Sequence, residues 1–184
     1  MTKILAFFGE SAAGKDTLAK VLAERDEFHA VVSCTTRPKR DYEQDGVDYH
    51  FLTTEEFTKK VLDGTMLEAT EFRNWFYGTP IESLKADKIN VGVFNISGIE
   101  CLLKDSRLEV IPVYIACEDK TRLLRSLNRE TTPDCEEICR RFLTDKKDFE
   151  DIPFEYYTHY NGVGVKPEWI YDDIMSGRIC IKRD

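Results

Sequence analysis

The sequence predicts an α/β fold: a three-layer arrangement with a mostly parallel sheet between helices, interrupted by a small α+β insertion. Three observations carry this. Short apolar runs alternate with amphipathic stretches of helical spacing, the pattern of strand–helix units. The runs around Lys3–Phe8, Asn90–Ile96 and Val110–Ala116 are apolar without alternation, as strands covered on both faces are. From about Thr35 to Ile89 the rhythm breaks into charged, turn-rich and aromatic sequence.

In order, Lys3–Phe8 (KILAFF) reads as a buried strand that ends at Gly9. Leu18, Val21 and Leu22 then repeat at helical spacing, predicting a helix from about Gly14 to Glu24. Ala30–Val32 is a second strand. Inside the insertion a short strand is expected around Val47–Leu52, followed by a helix opened by Thr53 with Glu56 three residues on, a capping box. Two aromatic-rich pieces follow, Met66–Phe72 and Trp75–Tyr77. The strand at Asn90–Ile96 is followed by Ile99, Leu102 and Leu103 on a helical period. The strand at Val110–Ala116 is followed in the same way by Leu123, Leu124 and Leu127. The polar link Arg129–Cys135 (RETTPDC) between two helices has the length of a mobile lid.

The chain has 184 residues, of which 42% are hydrophobic, enough for one domain with at most a subdomain inserted. A net charge of −8 with mixed signs speaks against nucleic acid or an anionic membrane as partner, since both ask for a basic face. The six cysteines show no C-x-x-C pair and read as reduced thiols. The first residues, MTKILAFFGE, are too short for a signal peptide, and no apolar run reaches the ~20 residues of a membrane span. A cytoplasmic protein, monomer or homodimer, is expected.

The strongest local signal runs from Gly9 to Thr17, GESAAGKDT, matching G-x-x-x-x-G-K after a strand and before a helix. In such a phosphate loop (P-loop) Gly9 and Gly14 permit a tight turn, with Ser11, Ala12 and Ala13 between them. Its amides and the helix N-terminus attract phosphate oxygens, and Lys15 reaches the β- and γ-phosphates. Asp16 stands where Ser or Thr usually meets magnesium, and the hydroxyl comes at Thr17. Either Thr17 or Asp16 through water can serve the metal.

A phosphate loop alone does not separate GTPases, motors and kinases; the insertion does. Ser33-Cys-Thr-Thr-Arg37-Pro-Lys-Arg40, then Asp45-Gly-Val-Asp-Tyr49-His-Phe51, then Glu68, then Phe76-Tyr77-Gly78-Thr79 resembles the guanylate kinase family, collinearly to about residue 144. The resemblance implies a P-loop core at 1–33 and 90–184, a nucleoside-monophosphate-binding subdomain at 34–89 and a lid at 129–137. It also implies phosphoryl transfer from ATP with Mg2+ to GMP or dGMP, with Ser33, Arg37, Arg40, Tyr49, Glu68, Tyr77 and Thr79 lining the acceptor pocket.

The residue chemistry agrees. Arg37 and Arg40 can fork onto an acceptor phosphate, and Tyr49 and Tyr77 offer hydroxyls to it. Glu68 can accept both donors on the guanine edge, and the Thr79 or Ser33 hydroxyl can meet its O6. In the family a strand ends in an Asp-x-Asp pair; this chain has Asn95-Ile-Ser97, where Asn95 can still bond a base edge. Two alternatives follow: a broader deoxynucleoside monophosphate kinase, as in bacteriophages, or a non-catalytic binding module. Arg122, Arg125, Arg129, Arg140 and Arg141 flank the lid segment. By resemblance Arg129 and Arg141 supply charge in catalysis and Asn161 lies near the ATP base.

Overall fold

The computed structural model describes residues 1–41, 43–72, 74–129 and 131–180. In chain order the elements are β1 (Thr2–Phe8), α1 (Lys15–Ala23), β2 (Phe28–Ala30), β3 (Cys34–Thr35), β4 (His50–Phe51), α2 (Thr54–Leu62), β5 (Met66–Phe72) and β6 (Trp75–Pro80). Then come β7 (Ile89–Val93), α3 (Ile96–Leu103), β8 (Leu108–Ala116), α4 (Asp119–Leu127), α5 (Cys135–Asp148), β9 (Tyr157–Tyr160) and α6 (Trp169–Met175). A parallel sheet in the order β2-β7-β1-β8-β9 forms the core, and a second sheet, β4-β3-β6-β5, forms the insertion.

β1 is central because every residue from Ile4 to Phe8 is fully buried and both its edges are paired, Leu5 with Val91 on one side and with Ile111 on the other. Its side chains alternate between two cores. Leu5 and Phe7 pack with Leu18, Leu22 and Ile170, whereas Ile4, Ala6 and Phe8 pack with Ile99 and Leu102. Helices therefore cover both faces, as the unbroken apolar runs require. Buried Asn90 in β7 is satisfied: its Oδ1 accepts from Lys85 N at 2.8 Å and its Nδ2 donates to Lys85 O at 2.9 Å.

Three strand boundaries depart from expectation. The second strand is Phe28–Ala30 rather than Ala30–Val32; Val31 N still donates to Val91 O at 2.8 Å. The strand expected at Asn90–Ile96 stops at Val93, because Asn95 turns to cap α3 by accepting from Gly98 N at 2.7 Å. The strand expected around Val47–Leu52 shrinks to His50–Phe51, whose partner β3 is equally short. The helix expected after Val110–Ala116 is present as α4, with Leu123 and Leu127 half-buried. Leu124 is 48% exposed and Arg122 is 1% exposed, so the most buried side chain of that helix is its arginine. The capping box forms as read: Glu56 N donates to Thr53 Oγ1 and Thr53 N to the Glu56 carboxylate.

Candidate functional site

β1 ends into the phosphate loop at the carboxyl edge of the sheet, the edge where open α/β sheets bind ligands. Gly9 and Gly14 adopt φ of 136° and 96°. At Gly9 a Cβ would meet Ile115 O at 2.8 Å, and at Gly14 it would overlap the Asn161 amide, so both positions need glycine for space as well as conformation. Ala12 is also left-handed, with φ 61°, a strained state that its surroundings must hold.

Those surroundings are visible. Arg125 Nη1 donates to Ala13 O at 3.2 Å and Asn161 Nδ2 to the same oxygen at 2.8 Å. Lys15 Nζ folds back on Gly9 O and Glu10 O at 2.8 and 2.9 Å. Desolvation under the loop is the main influence on Lys15 and holds its ammonium below the ordinary lysine value, opposed by the charges of Asp16 and Asp145. Asp16 and Thr17 sit exposed in the first turn of α1 and border the cavity that the loop closes.

That cavity, about 1040 Å3, joins the loop to the insertion. Of the residues expected to bind ATP, all but the wholly buried Ala13 line it. Ser33, Arg37, Arg40, Tyr49, Glu68, Tyr77 and Asn95, all expected at the acceptor, line it as well, as do Arg129 after α4 and Arg141 on α5. Thr79 lies fully buried just behind the wall.

Strand register builds the base end. Glu68 in β5 stands opposite Thr79 in β6, and Ser33 immediately precedes β3, whose Cys34 stands opposite Gly78. The three side chains form one buried chain: Thr79 Oγ1 donates to Glu68 Oε1 at 2.7 Å, and Ser33 Oγ lies 3.0 Å from Thr79 Oγ1. The hydroxyl proton of Thr79 goes to the carboxylate, so Ser33 donates to Thr79. Burial pushes Glu68 up to about 7, and the Thr79 bonds only partly offset it. Gly78 is required between them, since a Cβ there would lie 2.9 Å from Glu68 O and from the Phe57 ring.

Arg37 and Arg40 converge on a residue the sequence reading passed over. Arg37 forks onto Glu43 with bonds of 2.7 and 3.0 Å, while Arg40 N and Nη1 reach the same carboxylate at 2.8 and 3.4 Å. Despite its burial, these bonds hold the Glu43 carboxyl below the usual range. Arg37 also lies 5.7 Å from the ring centroid of Tyr49. The signal was a carboxylate three residues after Arg40.

Two further expectations are refined. Asn95 is engaged at both ends, its Oδ1 capping α3 and its Nδ2 donating to Thr70 Oγ1 at 2.7 Å, so one N–H is left toward the cavity. Arg140 turns outward onto Glu137 at 2.6 Å, whereas Arg141 contacts Glu137 and also borders the cavity.

The family model for guanylate kinase matches residues 1–164. A guanylate kinase of Zymomonas mobilis is 39% identical over 137 residues, covering 71% of this chain and 62% of that protein. One from Listeria monocytogenes is 31% identical over 166 residues, covering 87% and 80%. The crystal structure of guanylate kinase from Anaplasma phagocytophilum superposes with a TM-score of 0.68 at 23% identity, over 95% of this chain and 83% of that one. A phosphate loop shares one cavity with a wall of arginine and carboxylate side chains, and the sequence and fold both match one set of proteins: the chain belongs to the guanylate kinase family.

Proposed function

We propose that the chain transfers the terminal phosphoryl group of ATP directly to GMP or dGMP, without a covalent enzyme intermediate. The observation that carries the base assignment is the buried Glu68–Thr79–Ser33 chain. Glu68 keeps an acceptor oxygen for the guanine N1–H and N2 amine, and a hydroxyl from Thr79 or Ser33 can turn to O6. Adenine, which lacks N1–H and the N2 amine, offers this carboxylate no matching pair of donors.

Arg37 and Arg40, aided by the Tyr49 and Tyr77 hydroxyls, take the acceptor phosphate. The phosphate loop and Lys15 take the donor phosphates, and Arg129 and Arg141 bring charge to the transferring group, as a loose transition state requires. In this reading residues 34–89 bind the acceptor, 129–137 form the lid, and Asn161 supports the loop rather than only the ATP base. Among the described residues no three His, Cys, Asp or Glu side chains gather into a metal site. The exposed oxygens of Thr17 and Asp16 at the cavity suit a hard Mg2+ ion that also takes oxygens from nucleotide and water. When bound, that ion neutralises phosphate charge.

The test is ADP release with ATP and Mg2+ against GMP, dGMP, dAMP, dCMP and dTMP separately. Turnover confined to the guanine nucleotides is expected. Comparable turnover with several bases would replace the guanine reading by a broad pocket, and none at all would replace it by a binding module.

A further inference from the structure

Behind the phosphate loop lies a cluster of buried charges that the proposed chemistry does not use. Arg122 of α4 is 1% exposed. Its Nη1 donates to Ser11 O at 3.3 Å, and its Nη2 reaches Glu10 Oε1 at 2.9 Å and Asp119 Oδ1 at 3.1 Å. Its Nη1 also lies 3.6 Å from Asp145 Oδ2, and its guanidinium sits 4.8 Å from the Phe142 ring centroid. Asp145 of α5 is 2% exposed, and its Oδ2 accepts from Ser11 N at 2.7 Å. Lys146 closes the outer ring, 2.7 Å from Asp119 and 3.6 Å from Glu10.

We propose that Arg122 and Asp145 are positioning residues for the donor half of the reaction, acting through Ser11 to fix the shape of the phosphate loop. The inference rests on the loop being the ATP site, as read above. Ser11 is gripped at both backbone polar atoms, its carbonyl by one helix and its amide by another. The C=O and N–H of a trans peptide point in opposite directions, so each carbonyl held also sets the direction of the next amide. Arg122 on Ser11 O therefore directs the amide of Ala12, and Arg125 and Asn161 on Ala13 O direct that of Gly14. Ala12, which follows the clamp directly, is the residue held in the left-handed region.

The helices that supply the clamp also flank the lid segment. Arg129 follows α4, and Arg141 lies one helical turn before Asp145 on α5; both border the cavity. The spacing of α4 and α5 thus sets the donor loop and the lid arginines together. A surface-type salt bridge would have no such effect, because neither partner would touch the loop. Here removing either partner strands the other's charge in a buried site, while removing both leaves less to compensate.

Arg122→Met keeps most of the side-chain length without its charge, and Asp145→Leu fills the same space without an acceptor for the Ser11 amide. ATP affinity is measured by calorimetry without acceptor, and the KM values for ATP and GMP by initial rates, with melting temperature followed alongside. Each single variant is expected to weaken ATP about tenfold and leave the GMP KM within twofold. The double variant, with neither grip on Ser11, should weaken ATP at least as much as either single variant, while its melting temperature recovers part of the loss. Unchanged ATP affinity with only a lower melting temperature would overturn the inference, as would an equal rise in both KM values. Should one of the two not fold, the other reads the same split by itself, since each removes one grip on Ser11. Wild-type protein that fails to bind ATP would instead overturn the reading of the loop, which keeps the two failures apart.

Discussion

The two ends of the cavity are built in opposite ways. At the donor end a continuous nine-residue segment, Gly9–Thr17, presents the binding groups, and distant residues of α4, α5 and the turn after β9 hold it from behind. At the other end the residues proposed to bind the acceptor are scattered: Ser33 before β3, Arg37 and Arg40 on Glu43, Tyr49 before β4, Glu68 in β5, and Tyr77 and Thr79 in β6. A donor common to many enzymes needs one loop of fixed shape. An acceptor that must be recognised by its base needs a pocket assembled from several strands, where a single register sets each pair.

Substitutions at either end should therefore separate, and the largest separation is expected at Lys15. If Lys15 supplies charge to the transferring group as proposed, Lys15→Ala should lower turnover on the order of 10³-fold while GMP binding persists. Its melting temperature should not fall, since the lost ammonium was desolvated in the loop. Turnover near wild type would break the assignment of the donor end.

Next comes Glu68→Gln, with an expected fall of about 10²-fold in kcat/KM for GMP and little change in the ATP KM. Because burial raises Glu68 from 4.5 to about 7, the empty site carries a proton at mildly acidic pH that guanine must displace. Acceptor kcat/KM in the wild type should thus rise with pH through that value. Stability has the opposite sign. The proton held by folded Glu68 stabilises the fold fully below 4.5, and this contribution is lost as pH rises through about 7. Melting curves of Glu68→Gln and wild type should therefore diverge in favour of the variant over that window; parallel curves would place the carboxylate in water.

The smallest effect sharpens the acceptor side. Glu43→Gln keeps the shape that orients Arg37 and Arg40 but removes the charge that competes with phosphate for them, so the GMP KM should fall roughly threefold with the ATP KM unmoved. Equal changes in both would make Glu43 a structural residue of the whole molecule.

The same contrast explains what could be read from the sequence. The loop was legible because its requirements are local: two glycines, one lysine, a strand before and a helix after. β1, β8 and the Thr53 capping box were legible for the same reason. The acceptor residues were named by resemblance, but the Thr79–Glu68 bond is a fact of β5–β6 register that no local pattern states. Asn95 reads as the end of a strand until its side chain is seen capping α3. The leucines announced α4, but not the residue buried deepest in it. Periodicity ranks residues by type, and an arginine ranks as surface. Arg122 is inside only because Glu10 and Asp145, remote in sequence, arrive to meet it.

Several basic side chains in and around the site already have acidic companions. Arg37 has Glu43, Lys20 has Asp48 at 2.6 Å, Arg141 has Glu137, and Arg122 has Glu10 and Asp145. These carboxylates are internal stand-ins for phosphate. A nucleotide must exchange with those at the cavity, so a stray polyanion with charge but no matching shape gains little by entering. In a chain of net charge −8, the empty site is in this way a poor trap for inorganic phosphate or nucleic acid backbone, and spent nucleotide leaves to a pocket ready to neutralise itself.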